Sequence, residues 1–103
     1  MIVSIVTFRL PKPWSVEEAA SVFRSTAPKY LKMAGLIRKH YYVSEDGTRA
    51  GGIYLWENRA AADACYAGPW RATVTEKYGS EPQIDFLTSP VTVDPGKGTI
   101  EVA

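Results

Sequence analysis

The segment Gly35–Glu57 constrains the fold of this chain more than any other part of it. Two runs rich in β-branched and aromatic residues, Leu36–Val43 and Arg49–Trp56, flank a short stretch with turn-forming residues at 45–48. Apolar runs that are separated by a short, glycine-containing turn are typical of a β-hairpin. The segment therefore predicts two adjacent antiparallel strands in the middle of the chain.

A strand and a capped helix are predicted before the hairpin. Residues 1–10 are rich in β-branched residues and end at a proline, which is typical of a strand. Ser15 with Glu18 three positions later predicts a capping box, and apolar residues at helical spacing follow it. Pro28 lies inside this pattern, so we expect the helix either to kink there or to end near Thr26.

A second helical region and a further strand are predicted after the hairpin. Asn58 is a favourable N-cap for an alanine-rich helix, which Gly68-Pro69 interrupts and Gly79 ends. Residues 82–94 predict the fourth strand, with a bend or an edge position because of a proline within it.

The predicted order is β-α-β-β-α-β, which is typical of an α+β fold with ferredoxin-like topology. In this fold both helices cover one face of an antiparallel sheet, and the other face, here called the open face, stays uncovered. We expect one domain over residues 1–94 and a C-terminal tail, 95–103, that can pair with a partner subunit. A bare sheet face with large apolar groups also favours a homodimer.

The composition argues against several classes of function. Twelve Lys and Arg residues balance eleven Asp and Glu residues, so the sequence predicts no basic surface for nucleic acid. One cysteine, Cys65, and one histidine, His40, are too few for a zinc site. No apolar run approaches the ~20 residues of a membrane span, and no leader pattern is visible. We therefore expect a cytoplasmic protein without a metal site.

The register of the hairpin decides which side chains share the open face. With a two-residue turn His40 pairs with Ile53, whereas with a three-residue loop and a glycine bulge at Gly47 it pairs with Gly52. We favour the three-residue loop because glycine suits its third position. Lys39 then points to the helix side, near a margin of the sheet where its stem can lie along apolar surface. The open face in this register carries Arg38, His40, Tyr42, Tyr54 and Trp56.

These open-face side chains have the chemistry of a pocket for a flat organic molecule. Histidine titrates near neutral pH, arginine binds anionic oxygens, and polar aromatic side chains stack on planar ligands. Packing at a dimer interface accounts for the same aromatic residues equally well. The candidate catalytic residues are His40, Tyr42 and Arg38, and the candidate substrate-binding residues are Tyr54, Trp56 and Gly52.

Three stretches of the chain carry a resemblance to a known family: IVTFRLPKPWSVEEAA, GLIRKHYYVSEDGTRAGGIYLWENRAAADA and PWRATVTEKYG. Over about residues 2–94 the chain resembles the small putative mono-oxygenase family. That family belongs to the dimeric α+β-barrel superfamily, with the antibiotic-biosynthesis monooxygenases. The resemblance implies a homodimer packed sheet to sheet. It also implies oxidation of aromatic polyketide-like substrates by O2, without flavin, haem or metal.

The resemblance implies Tyr54 and Trp56 as pocket walls, and His40, Tyr42 or Arg38 as proton and oxyanion partners. We therefore predict a cofactor-independent monooxygenase that acts on a small aromatic or polyketide-like ligand. Because a fold does not fix a function, two alternatives stay open. One is a non-catalytic dimeric module that binds a small molecule, and the other is haem binding or degradation through His40.

Overall fold

The computed structural model describes residues 1–102, which form six strands, three α-helices and one 3-10 helix. The strands are β1 (Ile2–Arg9), β2 (Leu36–Val43), β3 (Arg49–Trp56), β4 (Gln83–Thr88), β5 (Val91–Asp94) and β6 (Thr99–Val102). The helices are α1 (Val16–Thr26), α2 (Arg59–Tyr66) and α3 (Trp70–Tyr78), and the 3-10 helix is Ala27–Tyr30. None of these helices is long and apolar enough to cross a membrane.

The main sheet has four antiparallel strands in the order β2-β3-β1-β4. The helices lie on one face of this sheet, where their apolar side chains join the strands in one core. The predicted α+β ferredoxin-like fold is therefore confirmed. It leaves β2 at one edge of the sheet and exposes the open face opposite the helices.

Local signals start and end helix α1 where the sequence predicts. The Ser15 hydroxyl accepts a hydrogen bond from the Glu18 amide at 3.1 Å, and the Glu18 carboxylate accepts one from the Ser15 amide at 3.2 Å. Helix α1 ends at Thr26, and the segment that contains Pro28 continues as the 3-10 helix. This turn brings Tyr30 into the core, under the sheet.

The C-terminal region differs from the predicted single strand over residues 82–94. This segment is divided into β4 and β5 at Ser89-Pro90, where a proline cannot donate to a ladder. Strand β5 then pairs with β6 in a separate two-stranded sheet. The tail thus pairs within its own chain, and its pairing with a partner subunit stays a prediction.

The predicted three-residue loop of the central hairpin is wrong. His40 pairs with Ile53 and Tyr41 with Gly52, which is the register of the alternative two-residue turn. The turn itself has four residues, 45–48, because the Ser44 amide donates to the Arg49 carbonyl at 2.8 Å. The bulge lies at the other end of the hairpin, between Leu36 and Arg38.

The side chain of Asp46 accounts for this turn. Its carboxylate accepts hydrogen bonds from the Ser44 hydroxyl at 2.7 Å, the Thr48 hydroxyl at 2.7 Å and the Thr48 amide at 3.0 Å. These bonds lower the pKa of Asp46 to about 2. Gly47 follows with a φ of 73°, and its carbonyl accepts from the Trp14 amide at 2.9 Å. Gly47 is compatible with either register, and the hydrogen bonds of the Asp46 side chain select the observed one.

Candidate active site

The structure divides the predicted site residues between the two faces of the sheet. Arg38, His40 and Tyr42 lie on the open face, as predicted, because β2 keeps its expected orientation. Tyr54 and Trp56 lie on the helix face, where they are 3% and 0% exposed. The prediction that all five share one face is wrong, because the observed register reverses β3 relative to the prediction.

Tyr42 fills the space that Gly51 leaves on the open face. Its partner across the hairpin is Gly51, and a Cβ atom there would lie 2.9 Å from the Tyr42 hydroxyl oxygen. That hydroxyl donates to the Val6 carbonyl at 3.1 Å and shares a hydrogen bond of 2.6 Å with the Thr7 hydroxyl. Tyr42 therefore has a structural role in joining β2 to β1.

Gly52 opens space on the opposite face, between the sheet and the helices. A Cβ atom at Gly52 would lie 3.0 Å from both Lys39 Cε and Tyr54 Cε1. The space forms a cavity of about 80 Å³, which we call the sheet–helix cavity. Its lining comprises Phe8, Thr26, Lys29, Tyr30, Lys39, Tyr41, Gly51, Gly52, Tyr54, Trp70, Thr73, Val74, Lys77 and Tyr78.

The side chain of Lys39 enters this cavity from the edge strand. Its Nζ atom lies 3.4 Å from the ring centroid of Tyr30, 3.9 Å from that of Tyr41 and 4.4 Å from that of Tyr54. Ring faces attract a cation at such distances. The three tyrosines thus form a cage around one amino group, and they come from the 3-10 helix, β2 and β3.

Burial makes this amino group unusually easy to deprotonate. Loss of hydration, together with the nearby charge of Lys29, lowers the pKa of Lys39 from 10.5 to about 7, although the Cys65 thiol acts in the opposite direction. Near neutral pH the amine is therefore present in both forms. A lysine of this kind can accept a proton or hold an anion.

The hydroxyls of Tyr41, Tyr54 and Tyr78 stay protonated at neutral pH. Burial raises the pKa of Tyr54 and Tyr78 far above that of a free phenol, and it also raises the pKa of Tyr41. The Tyr41 hydroxyl shares a hydrogen bond of 2.8 Å with Thr26. These side chains therefore supply ring walls and hydrogen-bond partners, and Lys39 is the group beside them whose pKa lies near neutral.

A second, outer space adjoins the sheet–helix cavity at the edge of β2. This groove of about 220 Å³ shares Tyr30, Lys39 and Tyr41 with the cavity and adds Ala27, Leu31, Leu36, Ile37 and Arg38. Small-molecule sites usually have volumes of roughly 300 Å³ or more. Lys39 thus lies at the border that the two spaces share, together with Tyr30 and Tyr41.

Sequence reasoning missed Lys39 as a site residue although it placed the side chain on the helix side. Alternation along β2 gives that placement, whereas the inward turn of the amino group was not predicted. Tyr41 and Val43 point to the core in either register, so Lys39 must do so too. Its position in an edge strand fits the predicted sheet margin, but its amino group turns inward to the cage and not outward to solvent.

The open face is mainly apolar around its candidate catalytic residues. Ile53, 41% exposed, lies opposite His40 and beside Ile5, and Leu87, 51% exposed, follows on β4. The His40 side chain is exposed. Within residues 1–102 no group of three or more His, Cys, Asp or Glu side chains is placed to hold a metal ion. The open face therefore combines an exposed histidine with exposed apolar side chains.

Several solved structures similar to this chain are described as monooxygenases or oxygenases. A monooxygenase from the gene ActVA-Orf6 of Streptomyces coelicolor, solved with the ligand nanaomycin D, is 22% identical over 91% of each chain, with a TM-score of 0.68. A variant of SnoaB, a cofactor-independent oxygenase from Streptomyces nogalater, is 19% identical over 89% of this chain and 95% of that chain, with a TM-score of 0.66.

A third similar structure is a putative antibiotic biosynthesis monooxygenase from Deinococcus radiodurans. It is 13% identical over 91% of this chain and 97% of that chain, with a TM-score of 0.67. At these identities the similarity shows the fold. Among curated proteins no sequence matches the chain significantly. The family model described as "Putative mono-oxygenase ydhR" matches residues 3–80, and the chain belongs to that family.

Proposed function

We propose that this protein is a cofactor-independent monooxygenase of a small, planar aromatic or polyketide-like substrate, and that the substrate binds in the sheet–helix cavity. Membership of the mono-oxygenase family supports the reaction class. The observation that carries the location is the amino group of Lys39, held among three aromatic rings in a partly enclosed space.

The reaction needs only the substrate and O2. In the substrate, O2 converts a ring CH2 group that has an acidic enol form into a carbonyl group. One oxygen atom of O2 enters the product, and the other leaves as water. The protein has to remove a proton and stabilise the resulting anion, which is the electron-rich species that meets O2. Neutral Lys39 accepts that proton, and the ammonium that forms stays beside the anion. The tyrosine rings orient the substrate and exclude water.

We further propose that two subunits pack through their open faces. This face has an exposed apolar surface, formed by Ile53, Leu87 and, at the sheet edge, Ile37. Burial of this surface against a second subunit would remove it from water. In such a dimer His40 and Arg38 become interface residues. Each subunit keeps its own cavity on the helix side.

Oxygen consumption with dithranol, an anthrone-type substrate, tests this proposal. We expect turnover by the wild-type chain, its loss in Lys39→Met, and turnover retained within about threefold in His40→Ala, which changes the open face only. Turnover that persists in Lys39→Met but is abolished in His40→Ala would contradict the proposed location and would indicate a site on the open face.

A non-catalytic binding module is the second candidate. The ring cage and the Lys39 amino group support it, because they can hold a ligand without any reaction. In both candidates a bicyclic ligand needs more space than the cavity of about 80 Å³ provides, so Lys39 has to move toward the groove of about 220 Å³ that it also lines. This candidate predicts that dithranol raises the melting temperature without oxygen uptake. Haem binding through His40 has less support, because the exposed side chain lies on a flat sheet face and not in the cavity.

A further inference from the structure

The sheet–helix cavity has only one sign of charge. Three lysines line it, Lys29, Lys39 and Lys77, and no Asp or Glu side chain does. Lys39 lies inside, whereas Lys29 and Lys77 are exposed on the 3-10 helix and on α3. In a chain with twelve basic and eleven acidic residues, such a separation favours an anionic occupant.

None of these lysines has a partner of opposite charge. Within residues 1–102 the only ion pair joins Arg59 and Asp63, on the surface of α2. A buried cation without an anion is costly, and the three ring faces replace only part of its hydration. An anionic oxygen beside Lys39 would supply the missing partner.

The groups that face Lys39 restrict how that anion arises. They are Tyr30 and Lys29 on the 3-10 helix, Tyr41 on β2, Tyr54 on β3 and Cys65 on α2. Burial raises the pKa of the Cys65 thiol to about 11 and also raises the pKa of Tyr41 and Tyr54, so these three groups are not anions at neutral pH. No Asp or Glu side chain of residues 1–102 lines the cavity, so an acidic ligand would bring the negative charge to Lys39.

We propose that the ligand of this cavity is an aromatic acid with two acidic groups, a phenol or enol hydroxyl that gives its proton to Lys39 and a carboxylate that lies between Lys29 and Lys77. In the inner step the O–H bond of the ligand breaks and an N–H bond forms on Lys39, and no other reactant is needed. The outer carboxylate makes two solvent-exposed ion pairs. This proposal depends on the proposed function only where it identifies the aromatic acid as the substrate.

The position of the phenol beside Lys39 is tested with 4-nitrophenol, whose anion absorbs visible light while the neutral phenol does not. We expect the ratio of anion to neutral phenol to be at least tenfold higher for bound than for free 4-nitrophenol at the same pH. Lys39→Met should reverse the preference, because an apolar cage disfavours an anion. Lys97→Met, in the distant β5–β6 turn, is the matched control and should behave like the wild type.

The outer position is tested by comparing 6-hydroxy-2-naphthoate with 2-naphthol in fluorescence titrations near neutral pH. We expect the carboxylate to tighten binding about fivefold, as two exposed ion pairs would. The doubly substituted Lys29→Met, Lys77→Met chain should lose this difference and keep its affinity for 2-naphthol.

Three outcomes would overturn the inference: no ionisation of bound 4-nitrophenol, ionisation that is unchanged in Lys39→Met, or equal affinity for the two naphthols. Absence of binding by all three probes at millimolar concentration would overturn it as well. These titrations need no turnover. If they succeed while dithranol consumes no oxygen, the proposed monooxygenase is wrong and the anion site is retained.

Discussion

Replacing Lys39 should change how the stability of the protein depends on pH. In the unfolded chain this side chain keeps the ordinary lysine pKa of 10.5, whereas burial lowers the pKa to about 7 in the folded chain. Between these values the unfolded chain binds one more proton than the folded chain. The free energy of unfolding therefore rises with pH in this window, from below 7 toward 10.5.

The magnitude follows from the two pKa values. Each pH unit within this window adds about 1.4 kcal/mol to the free energy of unfolding. The increase starts only as the pH passes through the pKa of Lys39 in the folded chain. Between about pH 6 and about pH 9 the Lys39 amine should add roughly 2.5 kcal/mol to the free energy of unfolding. Lys39→Met, which keeps a similar apolar stem, should lack this increase.

Urea unfolding of both chains at the two pH values, at one protein concentration, measures the difference. Other titrating groups are common to both chains, so they cancel when the two differences are subtracted. Measurements stay below about pH 10 because the raised pKa of Tyr54 and Tyr78 makes stability fall as their unfolded forms ionise there. If the two chains gain equal stability over this range, the amine is not held neutral in the fold and the reasoning is refuted.

Other predictions concern the core, the turn and the open face. Ser4→Ala should cost about 1–3 kcal/mol in thermal or chemical unfolding, because the buried Trp56 Nε1 donor at 2.9 Å loses its acceptor; unchanged stability would contradict this. Gly47→Ala should cost at least about 1 kcal/mol, since its φ is 73° and a Cβ there meets the Trp14 carbonyl; an unaltered denaturation midpoint would refute it. Ile53→Asp should give a monomer in sedimentation at micromolar concentration if open faces pair, and a wild-type monomer would exclude that dimer.

The element order was predictable because each boundary has its own local chemical signal. Three predicted caps form in the structure: the capping box of Ser15 and Glu18, the N-cap Asn58 of α2 and the C-cap Gly79 of α3. Alternation of apolar residues then identified the strands. These signals depend on neighbours in the sequence, so a single chain is enough to interpret them.

The site was not predictable to the same degree, because it depends on register. One extra residue in a hairpin loop exchanges the faces of a whole strand, and the glycine at position 47 fits both loops. The carboxylate of Asp46 decides between them through bonds to Ser44 and Thr48. A Ser-x-Asp-x-Thr pattern across the turn was the available signal. With that register, Tyr54 joins Lys39 and not His40.

A crystal structure of the protein with bound 4-nitrophenol would test the central claim most directly. We predict the ring among Tyr30, Tyr41 and Tyr54, in the place that the Lys39 amino group occupies without ligand. Lys39 should be displaced toward the groove, with its Nζ within hydrogen-bond distance of the phenolic oxygen. Ligand density on the open face beside His40, with the sheet–helix cavity empty, would contradict the account.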